Sequence, residues 1–123
     1  MPHPNEQAVR RAYSAINRGD LAAFSAEFTD DAVWHGSGTD ITGSTAIAEL
    51  VAQLRAASGG TLRIELHDVL ANEDHAVALQ ITRAERSGRS LVDRVVYVFH
   101  LRDGKIAEAW FNADPRPQDD FWG

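Results

Sequence analysis

The chain contains no cysteine and only one lysine and one methionine. Without cysteine there can be no disulfide staple, thiolate catalysis or cysteine-ligated zinc. A single lysine, arginines scattered along the chain and a net charge of −6 supply no basic patch of the kind that holds nucleic acid. The acidic balance serves solubility. No apolar run approaches the ~20 residues needed to cross a bilayer, and the opening MPHPNEQAVRR lacks the apolar stretch of a signal peptide. The expectation is a cytoplasmic protein with no membrane or nucleic-acid partner. Histidine is also sparse: the five are dispersed, with no H-x-H pair and no cluster of ligands on one element, so no metal site is expected. Gly36-Ser37-Gly38 is too short, and follows the wrong element, to cradle a phosphate. No cofactor is expected.

What is present suffices for one domain, residues 1–123, with a core of ordinary size. The densest apolar segment is LVDRVVYVFHLRDGKIAEAWFNAD, Leu91 to Asp114. It predicts two strands, about 91–101 and 106–113, joined at Asp103-Gly104, where a hairpin needs positive φ. Asp114-Pro115 stops the second strand, because proline cannot continue a ladder. Val95 to Phe99 are apolar on both faces, so both faces of this strand are expected to be covered. Asp93, Glu108, Asn112 and Asp114 on the same hairpin must then be paired or line a cavity.

Upstream, Asn5 is a plausible cap for a helix carrying Val9, Ala12, Tyr13 and Ile16 at helical spacing, ended by Gly19. Asp20 caps a second helix with Leu21, Phe24 and Phe28 on one face, closed by Thr29-Asp30-Asp31. Val33-Trp34 reads as a strand stub entering an irregular loop from His35 to Gly43. Ser44 caps a third helix with Ile47, Leu50, Val51 and Leu54 on one side, ended at Ser58-Gly59-Gly60. Strand alternation follows over 61–70 and 75–84, with turns at Asn72-Glu73-Asp74 and Ser87-Gly88-Arg89. Helices first and then an antiparallel meander of about four strands predict an α+β fold. Helices covering one face of so small a sheet would form a cone with an interior pocket.

Several segments together resemble a known family. They are Arg11-Ala12-Tyr13 with Asn17-Arg18-Gly19-Asp20, Phe28 through His35, and Val98 through Ile106. Glu108-Ala109-Trp110, Asp114 and Asp120-Phe121-Trp122 complete the set. In these the chain is similar to the SnoaL-like polyketide cyclases, a branch of the ketosteroid isomerase and nuclear transport factor 2-like superfamily. The resemblance implies a cone-shaped α+β barrel and cofactor-free acid/base chemistry of the isomerase, cyclase or lyase kind. It implies Asp114 as the acid/base, in the place of the cyclases' last-strand aspartate. The isomerases' base falls at His35-Gly36, where no carboxylate stands, and their oxyanion-hole aspartate corresponds to Tyr97. Their helix-one tyrosine falls near Ala12-Tyr13. Asp93, Arg94 and Asp114 resemble an epoxide-hydrolase set only loosely.

The candidate residues follow. A carboxylate at the mouth of an apolar cone would have its pKa raised and suit proton abstraction; Asp114 could equally cap the strand end. Tyr97 could donate a hydrogen bond to a developing enolate oxygen, or be a core tyrosine with one partner. His35 could act as a second acid/base, or be an ordinary polar residue at a strand end. Tyr13, Phe28, Trp34 and Trp110, with Phe24, would wall a pocket for a flat apolar, carbonyl-bearing molecule; the phenylalanines fit a core equally well. Asn112 could bind substrate or hold Asp114, and Asp93 could line the pocket or pair with an arginine. Val96 and Val98, on the face opposite Tyr97, need cover that a second subunit would supply, which predicts a homodimer through the sheet. The alternative to an enzyme is a non-catalytic ligand-binding or dimerisation module.

Overall fold

In the computed structural model, which describes residues 2–36 and 38–123, three helices lie against one face of a curled six-stranded sheet. The chain runs α1 (Pro4–Arg18), α2 (Leu21–Ala26), β1 (Phe28–His35), β2 (Asp40–Thr42), α3 (Ser44–Ala57), β3 (Arg63–Ala71), β4 (His75–Arg86), β5 (Arg89–Arg102), β6 (Lys105–Asn112) and α4 (Arg116–Trp122). The strand order is β2-β1-β6-β5-β4-β3. All neighbours pair antiparallel except β1 with β6, which run parallel. The sheet curls without closing. Its register slips at Phe28/Val33, Leu66/Asp68 and His100/Leu101, and bulges of this kind bend strands and deepen their twist.

Local chemistry fixes the helix positions. His3, and not Asn5, caps α1: its Nδ1 accepts the Asn5 backbone N–H at 3.0 Å, and Pro4 takes the first helical position. The Asn5 side chain turns inward instead, donating to the Asn72 and Glu73 carbonyls, which ties the helix start to the β3–β4 turn. Gly19, at φ 73°, ends the helix in the left-handed region. Two residues earlier, Asn17 donates to the Ile64 carbonyl at 2.7 Å and accepts the Ile64 N–H at 2.8 Å, so α1 grips the edge strand β3. Asp20 caps α2 as expected, accepting from the Ala23 N–H. Gly43, not Ser44, occupies the N-cap of α3, without a side-chain bond.

Three segments differ from the sequence expectation, the first being Asp40–Thr42, which lies in the loop expected to be irregular and instead forms the edge strand β2. Phe28-Thr29-Asp30-Asp31 does not close a helix; it begins β1, so the predicted stub becomes an eight-residue strand between β2 and β6. The residues 116–122 form a further helix, α4, which packs on β5. Predicted and observed hairpins agree. Asp103 and Gly104 both have positive φ (53° and 78°), as do Ser87 and Gly88 (51° and 76°), the backbone that a two-residue hairpin loop requires.

The core lies between α1, α2, α3 and the inner sheet face. Phe24, Phe99, Ile47, Ile106 and Val9 are its largest fully buried side chains. A second small cluster (Leu62, Ala84, Leu91, Phe121) seats α4 at the other end of the sheet.

Candidate functional site

Strand β4 decides where there is room. Its inward residues are Ala76, Ala78, Gln80, Thr82 and Ala84, all buried, while Val77, Leu79 and Ile81 stand on the other face by the two-residue period. Small side chains under the helices leave space. That space is a cavity of about 470 Å³ at the wider end of the curl, within the range usual for small-molecule pockets.

The walls are mainly apolar. Tyr13 and Ile16 come from α1, Ile47, Leu50, Val51 and Leu54 from α3, and Leu62 and Ile64 from β3 and its approach. Trp34, Val95, Tyr97 and Phe111 supply the opposite side, and Gly36, Thr39 and Ile41 one rim. The last helix, α4, covers the mouth with Gln118, Asp119, Trp122 and Gly123. Two arginines flanking the Ser87-Gly88 turn hold this cover down. Arg86 donates to the Trp122 carbonyl at 2.6 Å, and Arg89 donates to those of Asp120 and Phe121. Cations at the end where helix carbonyls lack partners are favourable by charge as well as by hydrogen bonding.

The polar groups inside are few and neutral. Trp34 packs on Tyr97 with ring centroids 4.8 Å apart. Burial pushes the Tyr97 phenol up, an effect the neighbouring Trp34 side chain only partly opposes. Tyr13 is pushed well above its ordinary value by burial and by the nearby Tyr97. Both phenols therefore stay protonated at neutral pH and act as donors. Tyr13 donates to Gln80 Oε1, and Gln80 Nε2 donates to Thr82 Oγ1 at 3.2 Å. At the mouth Gln118 donates to Asp93 (3.1 Å) and accepts from the Trp122 indole (2.9 Å).

Of the predicted site residues, Tyr13, Trp34 and Tyr97 are brought together in the lining. Phe28 is a core residue, 3% exposed, packed on Phe24 and outside this cavity. Asp93 does not line the cavity but anchors Gln118, which does; its partner is an amide and not the arginine expected. His35, Trp110 and Asn112 lie on the outer sheet face, because Trp110 pairs with Val98 and Asn112 with Val96 on the side opposite Tyr97. There His35 stacks on Trp110 (centroids 5.6 Å, 12° between planes) and is held between two carboxylates. Its Nε2 lies 2.6 Å from Glu108 and its Nδ1 2.9 Å from Asp40. These bonds, Glu108's first, raise its pKa.

Asp114 also stands apart from the cavity. It is exposed and clasped by Arg116, whose Nη2 is 2.6 Å from Oδ2 and whose backbone N–H also donates to it. Those two interactions lower its pKa to about 2. This corrects the expectation of a carboxyl raised by desolvation at the cone mouth. Asp119 is the carboxylate in the described lining, and it is exposed. Among the described residues no group of three His, Asp or Glu is placed to hold a metal ion, and no helix is long and apolar enough to cross a membrane.

Sequence reasoning missed Gln80, Thr82 and α4. The signal for the first two was present: polar side chains at alternate positions among alanines, opposite a valine-leucine-isoleucine face. For α4 it was a proline near a helix start and the apolar pair Phe121-Trp122 after Asp119-Asp120.

The model of the SnoaL-like domain family matches residues 9–109. The uncharacterised protein Rv0034 of Mycobacterium tuberculosis is 31% identical over 121 residues, covering 93% of this chain and 92% of its own. Among solved structures, Bal32a from a soil-derived mobile gene cassette superposes with a TM-score of 0.92 at 29% identity, covering 98% of this chain and 97% of that one. TerC, co-crystallised with polyporic acid, superposes at 0.84 with 19% identity and 98% of both chains covered, a likeness of fold. The domain match over most of the chain and the identity along nearly all of Rv0034 agree: this chain belongs to the SnoaL-like domain family.

Proposed function

We propose that the protein binds a small, neutral, largely apolar molecule carrying a carbonyl oxygen, and that Tyr97 is the donor to that oxygen. The observation that carries this is the state of the Tyr97 hydroxyl. It lines the cavity against the Trp34 ring, and burial keeps it protonated, so the phenol is available as a donor. No described residue accepts its hydrogen, and its position in the lining points the donor to a ligand. The surrounding walls would bury the rest of a flat molecule. TerC, of the same fold, was crystallised with a small organic acid in hand, which supports ligand binding as a use of this architecture.

Binding is favoured over cofactor-free proton abstraction. A general base must reach the substrate carbon, and among the described lining residues the carboxylate is Asp119, exposed at the mouth, while the groups around Tyr97 are a phenol, an amide and a hydroxyl. Asp114, ionised and clasped outside, is not offered as that base. The test is a crystal soaked with 4-acetylbiphenyl, paired with calorimetric titration of wild type and Tyr97→Phe. The ketone should sit against Tyr97, and the variant should bind about three- to tenfold more weakly. Ketone density only outside the cavity, or equal affinity for both proteins, would overturn the proposal.

A second copy of the chain is proposed as the cover of the outer sheet face. Val77, Val98 and Trp110 form a row across three strands, with Leu79 and Val96 beside it. All five are only partly buried, while α1, α2 and α3 cover the opposite face alone. An apolar patch of that extent on a sheet face is of the kind that pairs with its own copy about a two-fold axis.

A further inference from the structure

We infer that the ligand is elongated and carries an oxygen acceptor at each end, and that Thr82, oriented by Gln80, recognises the second oxygen. This rests on the Tyr97 reading above and narrows its ligand class. Gln80 and Thr82 are 4% and 6% exposed, and both line the cavity. Three groups are linked there by two bonds: Tyr13 gives its only hydrogen to Gln80, and Gln80 gives one amide hydrogen to Thr82. A threonine hydroxyl has one hydrogen to donate besides its acceptor lone pairs. Among the described residues nothing accepts it. A buried donor without an acceptor is disfavoured, and Thr82 lines the cavity, where a ligand can supply one. Gln80 fixes the direction, because its amide hydrogen occupies a lone pair of Thr82 Oγ1 and leaves the hydroxyl hydrogen to point elsewhere.

One ligand oxygen cannot serve both Thr82 and Tyr97. Thr82 pairs with Asp93, four residues along β5 from Tyr97, so the two backbone positions are about 13 Å apart at the usual strand rise. Both side chains stand on the same inner face. The ligand must therefore span the cavity, presenting one oxygen to each donor. It also carries no negative charge at the Thr82 end. Asp93 is Thr82's cross-strand neighbour and Asp119 lines the nearby mouth, so a ligand carboxylate would meet two carboxylates there.

The test uses three neutral probes of one skeleton, biphenyl, 4-acetylbiphenyl and 4,4′-diacetylbiphenyl, titrated calorimetrically into wild type, Thr82→Val, Thr82→Ser and Tyr97→Phe. In wild type the diketone should bind about three- to tenfold tighter than the monoketone. Thr82→Val should erase that difference by weakening the diketone at least threefold more than the monoketone, and Thr82→Ser, which keeps the hydroxyl, should preserve it. Equal affinity of the two ketones for wild type, or a Thr82→Val effect as large on biphenyl as on the diketone, would overturn the inference and leave the Tyr97 proposal standing. If wild type binds none of the three, the cavity-binding proposal itself fails, and this inference with it.

Discussion

The two faces of one sheet have been given opposite chemistry. The inner face carries Phe99, Tyr97, Val95 and Phe111 against Gln80 and Thr82, with Asp93 as a carboxylate at the mouth end, bonded to Gln118. The outer face carries valines and Trp110 mixed with titratable groups: His75 against His100 (centroids 5.2 Å), Glu108, His35 and Asp40. Ionisable groups sit where solvent can reach them, since stripping a charge of water in the interior is far more unfavourable than burying a hydroxyl. Strand β5 makes the contrast residue by residue, because successive side chains alternate between the two environments.

The largest expected effect tests that alternation directly. Phe99 is 2% exposed and touches Tyr13, Trp34 and Tyr97. Truncating it to alanine should cost about 3–5 kcal/mol in chemical denaturation, through lost transfer energy and the cavity left behind. The adjacent Val98→Arg should leave the fold nearly intact, yet reduce the sedimenting species to a monomer. If Val98→Arg unfolds the chain, or leaves its mass unaltered, the outer face is not an interface between copies.

Next in size is the cover over the inner face. Removing both Arg86 and Arg89 strips four donated hydrogen bonds and the Arg89–Phe121 contact from the end of α4. The double alanine variant should be cut by protease within 116–122 at least several-fold faster, and should release 4-acetylbiphenyl faster in stopped flow. Unchanged rates would show that the Phe121 and Trp122 packing suffices to hold the helix.

How much of this was legible beforehand can be read from particular residues. The Asp103-Gly104 turn, the Gly19 helix stop and the Asp20 cap depend on local chemistry, and the residues state it. The meander from β3 to β6 follows from alternation alone. The extension of β1 through Thr29-Asp30-Asp31 was hidden, because those polar residues look like a helix end; β6 pairs the chain on either side of them, at Phe28 and from Val33 on, across a register shift. The face of β6 was hidden for a related reason. Its period of two separates Trp110 and Asn112 from Phe111 but does not say which set faces the helices. The alignment with Tyr97 on β5 settles that, putting Phe111 inside. Trp110, the larger aromatic, went outside to stack on His35.

A smaller effect probes the outer face's ionic pairs. His35 has its pKa raised by Glu108 and then Asp40, so its contacts contribute fully below the unfolded value near 6.5 and are lost as pH rises through the folded value. Glu108→Gln removes the larger cause. Its His35 should titrate at a lower pH than in wild type when followed by imidazole proton resonances. An unmoved midpoint would mean that Asp40 alone sustains the shift.

The smallest expected effect concerns the carboxylate at the end of β6. Asp114 has its pKa lowered to about 2 by the Arg116 side chain and backbone N–H. Its interaction is therefore present above the unfolded value near 3.9 and is lost as pH falls through about 2. Being exposed, the pair contributes little to stability. Asp114→Asn should leave ketone affinity within about twofold of wild type, and Arg116→Ala should return the Asp114 carboxyl toward its ordinary titration in carbon-detected resonance. A large loss of binding in Asp114→Asn would show that Arg116 releases the carboxylate to the cavity when ligand enters. The cavity around Tyr97 would then acquire a charge on demand, and proton abstraction would regain the base that the unliganded arrangement denies it.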